Sequence, residues 1–243
     1  MNLTIDIGNT RSKFALFKNN DIIDSFIYKN LSIDTIQSII NLYPEIKNTI
    51  LSSVRVPDVN TIDYLKKSFS YFIELDTNTN LPIENKYKTK NTLGKDRIAA
   101  IVGANNIYPN TNVLVIDMGT AITYELINSK NQYLGGTISP GLEIRFKSLN
   151  HYTDKLPLLN KSDDFNLIAD STESAIISGV QNGIIYEING YVESLKKQYE
   201  DLKIFLTGGD AIFFDKKLKN TIFVNLNLNH IGLNTILDYN REK

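Results

Sequence analysis

The chain has 243 residues, enough for one large or two modest domains, with 26 Lys and Arg against 27 Asp and Glu. That balance gives no electrostatic footprint for nucleic acid, and the absence of cysteine excludes disulfides, thiol catalysis and cysteine-ligated metals. No apolar run approaches membrane-spanning length and the N-terminus lacks the parts of a signal peptide, so a soluble cytoplasmic protein with no membrane partner is expected.

Asn2 to Asp6 reads as a strand, Lys13 to Phe17 as its partner across a glycine turn, and Ile22 to Tyr28 as a third strand. Ser32 caps a helical pattern carried by Ile33, Ile36, Ile39 and Ile40. Thr49 to Val54 is a short apolar strand containing Ser52 and Ser53, Val59 to Phe69 is helical, and Tyr71 to Leu75 is a strand. Residues 76–93 read as a long polar loop, followed by a helix over Asp96 to Asn106. Val113 to Asp117 and Ala121 to Asn128 form a second hairpin, and the stretch from Gly135-Gly136 to Pro140-Gly141 reads as turns. Leu142 to Leu149 is helical and residues 150–166 are loop. Ser174 to Leu195 is a long helical pattern, broken or bent near Gly179, Gly183 or Gly190. Lys203 to Leu206 is a strand running into Thr207-Gly208-Gly209-Asp210, and Asn227 to Asn240 holds a closing helix. Strands alternating with helices predict a layered α/β architecture.

One phrase occurs twice. The chain reads N-L-T-I-D-I-G-N-T up to Thr10 and V-L-V-I-D-M-G-T-A up to Ala121. Each is an apolar strand running into an Asp-x-Gly turn and then a second strand, which predicts a duplicated unit, 1–110 and 111–243, with an acid on each wall of a cleft. In the first copy the Gly8 turn can present backbone N–H groups to phosphate, Asn9 and Thr10 can add hydrogen bonds, and Lys13 brings a compact positive charge. Asp6 would repel phosphate directly, so its useful partner is a cation or the cation's water shell. The second copy, Asp117, Gly119 and Thr120, has no counterpart of Lys13, so the two loops should divide the work. Gly94-Lys95-Asp96-Arg97 opens a helix, where free N–H groups favour anions. Asp96 is there either a cap or a general base, and Arg97 either a surface partner or a carboxylate clamp. Thr172, between Ser171 and Glu173, is either a helix cap or a substrate contact. His151 and His230 lack zinc-site spacing and read as structural. Tyr87 stands out only for preceding Gly94 in the long loop.

Taken in order, D-I-G-N-T-R-S-K, Y-K-T-K-N-T-L-G-K-D-R, D-M-G-T-A, G-G-T-I-S-P-G, S-T-E-S-A-I-I-S-G and T-G-G-D resemble type III pantothenate kinase over roughly residues 2–215. Parts of this are shared with the wider sugar kinase, Hsp70 and actin superfamily. The resemblance implies two ribonuclease-H-like, actin-like ATPase domains of α/β class with ATP in the cleft between them. It implies ATP-dependent phosphorylation of the terminal hydroxyl of pantothenate to 4'-phosphopantothenate, the first step of coenzyme A biosynthesis. It also implies a homodimer, magnesium with ATP, and a monovalent cation, potassium or ammonium. Under it, Asp6, Ile7, Gly8, Asn9, Thr10, Arg11, Ser12, Lys13 and Thr120 match ATP contacts, with Asp6 meeting magnesium through water. Asp117 matches the monovalent-cation ligand and Asp96 the catalytic base. Tyr87, Gly94, Lys95, Asp96, Arg97 and Thr172 match pantothenate-site positions. Glu125 and Ser171 stand where the family usually has aspartate and asparagine. The rival readings are a sugar kinase of the same superfamily and a non-catalytic ATP-dependent switch.

Overall fold

A computed structural model describes residues 1–242 of the chain. The chain folds as two compact units, the first made of 1–110, 129–135 and the stretch from Asn227, the second of 111–128 and 136–226.

The first unit is built on strands β1 (Asn2–Ile7), β2 (Ser12–Lys18), β3 (Asp21–Tyr28), β4 (Asn48–Ser53) and β5 (Tyr71–Glu74), in the spatial order β3-β2-β1-β4-β5. β1 runs antiparallel to β2 and parallel to β4. The period-2 rule gives β1 two faces. Leu3, Ile5 and Ile7 point into an apolar core with Phe14, Leu16 and Leu51, covered by α1 (Ile33–Leu42) and α2 (Val59–Ser68). Asn2, Thr4 and Asp6 point the other way, a polar row inside the protein that has to be matched by something.

It is matched by the C-terminal helix, α7 (Leu228–Arg241). The Asn2 amide donates to Asn234 Oδ1 at 2.8 Å and to Asp238 Oδ1 at 3.0 Å. Thr4 Oγ lies 2.8 Å from His230 Nδ1, and Asn229 Nδ2 donates to Asp6 Oδ2 at 3.4 Å. His230, Asn234 and Asp238 recur every fourth residue, so one helix face meets one strand face rung by rung. α7 lies on α3 (Lys95–Ile107), a helix of small and apolar residues buried on nearly every side from Arg97 to Asn105. The two helices meet at glycines: a Cβ on Gly232 would overlap the Ala99 carbonyl oxygen, and one on Gly103 would overlap that of Leu228.

The long loop expected over residues 76–93 carries two short elements, β6 (Glu84–Asn85) and a 3-10 turn at Lys90–Thr92. β6 pairs in parallel with the start of β9 (Gln132–Pro140). The expected division at residue 110 leaves the C-terminal helix with the second half. Its polar row and its glycine contact with α3 instead make it part of the first unit.

The second unit repeats the strand order. β7 (Val113–Met118), β8 (Ala121–Ile127), β10 (Lys203–Thr207) and β11 (Phe223–Val224) lie in the order β11-β10-β7-β8-β9, so β7 stands where β1 does, antiparallel to the next strand and parallel to the crossover strand β10. Its core joins Leu114, Ile116 and Met118 to α4 (Leu142–His151) and α5 (Thr172–Lys196). Two expectations fail here. The Gly135-Gly136 segment is strand, not turn, because a Cβ at Gly136 would strike the Tyr124 carbonyl of the neighbouring strand. α5 is one helix of 25 residues, unbroken at its three glycines. Its stripe of Ile176, Val180, Ile184, Ile188 and Val192 is buried in the core, which outweighs about 1 kcal/mol of lost propensity per glycine. A short helix, α6 (Ala211–Asp215), follows β10.

The helix contact sets a test. Gly232→Ala forces α7 off α3 and should cost about 2 kcal/mol, read as a lower urea midpoint by tyrosine fluorescence. Gly190→Ala, where a Cβ meets nothing within 4 Å, should instead be neutral or stabilising by up to ~1 kcal/mol.

Candidate active site

In the first unit the sequence-predicted residues gather where β1 and β4 end and β2 and α3 begin. Register sets Lys13 and Ser52 on either side of Asp6, their side chains on one face of the sheet. The turn between β1 and β2 is tight, with Gly8 N–H donating to the Arg11 carbonyl at 3.0 Å, and Asn9, Thr10 and Arg11 are exposed on it. Ile7 and Ser12 form the next rung and point to the apolar face, both buried, so of the expected phosphate-loop residues these two offer backbone rather than side chain.

Asp6 is buried, and its carboxyl is raised above the ordinary value of 3.8. Desolvation is the main cause and the negative charge of Asp96 the second, opposed by Asn229, Lys13 and Ser52. The Ser52 hydroxyl favours the charged form, although its oxygen makes no hydrogen bond. The two carboxylates therefore feel one another. A pair of acids held like this is ready for a cation or for a proton taken from a substrate.

Asp96 lies in the first turn of α3, after Gly94 at the cap position, and its Oδ1 accepts from the Arg97 N–H at 2.9 Å. Arg97 is buried, its guanidinium carbon 5.4 Å from the centre of the Tyr87 ring, and Tyr87 stacks on Tyr133 with centroids 6.1 Å apart. Tyr87, Gly94, Asp96 and Arg97 thus form one group. Lys95 turns toward Glu74, 3.9 Å away.

Two residues here carry no local signal in the sequence. Asn229 arrives from the far end of the chain, and Ser52 is aligned by the parallel pairing of β1 with β4. His230, structural as its spacing suggests, is buried beside them. Thr4 Oγ donates to the Ala15 carbonyl, so it takes the His230 Nδ1–H, which fixes the tautomer. Burial first, and the Lys13 charge second, push its pKa down to about 3, so it is a neutral packing group at any working pH. The stability it supplies is complete above 6.5 and is lost as pH falls through that depressed value.

In the second unit Asp117 ends β7, abreast of Thr207 on β10 and Thr123 on β8. The turn that follows is held on both sides. Gly141 N–H donates to the Thr120 carbonyl at 3.1 Å, and Asp210 N–H donates to the Met118 carbonyl at 3.1 Å. Gly208 adopts φ +94°, and a Cβ there would crowd Asp117 Oδ1 and the Met118 backbone. The Pro-Gly and Thr-Gly-Gly-Asp phrases are thus the two braces of one loop. Thr120 is exposed on it. Glu125 is fully buried, with its Oε2 close over Gly136.

Ser171, not Thr172, caps α5, exchanging hydrogen bonds with Ser174 in a capping box. Thr172, in the first turn, opens on a groove of about 660 Å³ between α4 and α5, lined also by Arg145, Ser148, Leu149, Ile176 and Val180. Arg145 is fixed there by Glu187, Ser139 and the Pro140 carbonyl.

The model of the type III pantothenate kinase family matches residues 2–194. The chain belongs to that family. It is 47% identical over 242 residues to a type III pantothenate kinase of Christiangramia forsetii, covering 99% of both chains, and 44% identical over 241 residues to that of Phocaeicola vulgatus, again covering 99% of each. Among solved structures it is similar to a Baf family transcriptional activator from Campylobacter jejuni, at 25% identity and a TM-score of 0.64, covering 99% and 100% of the two chains. It shares the fold, at 13% identity and a TM-score of 0.52, with a polyphosphate/ATP-glucomannokinase from an Arthrobacter, covering 99% and 98%. The actin-like kinase fold consists of two ribonuclease-H-like units, and here the strand order β3-β2-β1-β4-β5 of the first recurs as β9-β8-β7-β10-β11 in the second.

The state of Asp6 can be read from stability. Its folded pKa is raised, so whatever it contributes to stability is complete below 3.8 and is lost as pH rises through the raised value. Asp6→Asn should therefore make the ligand-free enzyme more resistant to urea at neutral pH, with the gap to wild type closing as pH falls toward 3.8. A constant gap would mean that Asp6 titrates normally.

Proposed function

We propose that the chain transfers the terminal phosphoryl group of ATP to the terminal hydroxyl of pantothenate, giving 4'-phosphopantothenate for coenzyme A biosynthesis in the cytoplasm, with Asp96 as the base. The observation that carries the residue assignment is the group formed by Asp96, Arg97 and Tyr87 next to the buried Asp6. Asp96 Oδ1 is anchored to the Arg97 N–H, which aims the carboxylate and leaves Oδ2 to take the acceptor's proton. An aspartate is a weak base, yet it suffices when the alcohol gives up its proton late, as in a loose phosphoryl-transfer transition state. Arg97, stacked on Tyr87, supplies a preorganised cation for the acceptor's carboxylate, and Gly94 and Lys95 shape its approach. Thr172 adds a hydroxyl contact. The Gly8–Arg11 turn and Lys13 hold phosphate oxygens, so that most of the rate gain comes from positioning and charge compensation.

Magnesium fits the donor set at Asp6: Asp6 Oδ1, Ser52 Oγ and Asn229 Oδ1 are buried oxygens with no protein partner, suited to the water shell of a hard cation. Bound with ATP, it neutralises charge on the phosphates. Asp117, flanked by Thr123 and Thr207, is the ligand proposed for potassium or ammonium, and Thr120 the second ATP contact.

The panel that tests this incubates ATP with pantothenate, several sugars or no acceptor, with and without potassium. Transfer to pantothenate alone, stimulated by potassium, supports the assignment. Transfer only to a sugar, or hydrolysis without transfer, overturns it. Asp96→Asn should lower the turnover number by about 10² to 10⁴ while pantothenate binding survives. Full turnover by this variant would remove Asp96 from its role.

We also propose a homodimer. The support is the segment between α4 and α5, where Tyr152, Leu158, Leu167 and Ile168 are all exposed, Ile168 by 84%. Sedimentation should give about twice the 27.5 kDa chain mass, and Ile168→Glu should move it toward the single chain.

A further inference from the structure

Each polar side chain that β1 turns toward α7 can be followed to its partners. Both amide groups of Asn2 are paired, the oxygen accepting from Asn48 and the nitrogen donating to Asn234 and Asp238. Thr4 both donates and accepts. Asp6 differs. Asn229 holds its Oδ2, while its Oδ1 is buried without a partner, as are Asn229 Oδ1 and the neighbouring Ser52 Oγ. Only seven side-chain atoms among the described residues are in that condition, and three belong to this one cluster. A buried polar atom left unsatisfied is destabilising, so their concentration marks a place suited to something that donates hydrogen bonds or carries positive charge.

The orientation of Asn229 is forced. Turned over, its amide would set an oxygen against the Asp6 carboxylate and lose the one donor that holds it. The helix backbone fixes the rest, since α7 is seated on α3 by Gly232 and Gly103 and on β1 by His230 and Asn234. We propose that Asn229 is a positioning residue for phosphoryl transfer. It locks the rotation of the Asp6 carboxylate, so that Asp6 Oδ1, with Asn229 Oδ1 and Ser52 Oγ, accepts from the water shell of the magnesium carried by ATP. This rests on the reading of Asp6 given under Proposed function. Outer-sphere partners of this kind change metal affinity by about 10- to 100-fold when removed.

The test uses Mn²⁺ as the probe and needs no acceptor. The full chain is titrated with Mn²⁺ in the presence of a non-hydrolysable ATP analogue, and separately with the analogue in EDTA. Asn229→Ala should weaken Mn²⁺ binding about tenfold or more, while metal-free nucleotide affinity stays near wild type. Ser52→Ala should shift Mn²⁺ binding in the same direction by less. Equal losses with and without metal, or unchanged Mn²⁺ affinity, overturn the proposal. Should Asn229→Ala fail to fold, Asn229→Asp keeps the volume and places a second carboxylate against Asp6. Mn²⁺ should then raise its melting temperature by more than it raises that of wild type, and an equal or smaller rise overturns the proposal. A failure of the pantothenate assignment would appear in the acceptor panel and leave these titrations unmoved.

Discussion

Everything in the first unit depends on a carboxylate that has been taken out of water. Asp6 ends a strand whose other face belongs to the apolar core, and such a group stays ionised only where its surroundings replace the lost hydration. Lys13 and Asn229 supply part of that replacement and Asp96 works against it. The helices and sheet can be understood as the frame that holds this unfavourable charge in place. β1 is central, α7 is keyed to it by polar rungs, and α3 brings Asp96 because the two glycines let α7 lie directly on it.

The two units share one topology and use it differently. In the first, the acid sits among a lysine, a serine and an asparagine on a buried polar face. In the second, Asp117 lies beside two threonines, and its turn is clamped by glycine-bearing segments on either side. A lysine next to the acid suits phosphate. The recurring strand order presents two equivalent strand ends, and their neighbours on the flanking strands make them chemically distinct.

What can be read in the sequence is whatever chemistry lies close along the chain. The Asp-Gly phrases, the helix opened by Gly94, and the stripe on α5 are all patterns carried by near neighbours. The misreadings share a cause. Gly135-Gly136 reads as a turn because a glycine doublet looks the same whether it bends the chain or lets a neighbouring carbonyl approach. The glycines of α5 suggest a break because propensity is local and the packing that overrides it is not. Ser52 and Asn229 are invisible as site residues, since one is placed by strand register and the other by a helix from the opposite end of the chain. The four-residue spacing of His230, Asn234 and Asp238 is the one available hint, and its meaning requires knowing which strand it faces.

The seating of α7 on β1 also bears on how the protein comes into being. Asp6 and Asn229 are 223 positions apart, so the contact between them closes almost the longest loop this chain can make. During synthesis the second unit, 136–226 with its short lead-in from 111, has emerged before α7 exists. Until then the polar row of β1 lacks its partners on α7, Asn234 and Asp238 for Asn2, His230 for Thr4 and Asn229 for Asp6. The nascent first unit therefore has its whole sheet but not the helix that covers the polar face of β1, and that face is completed only when the last segment docks.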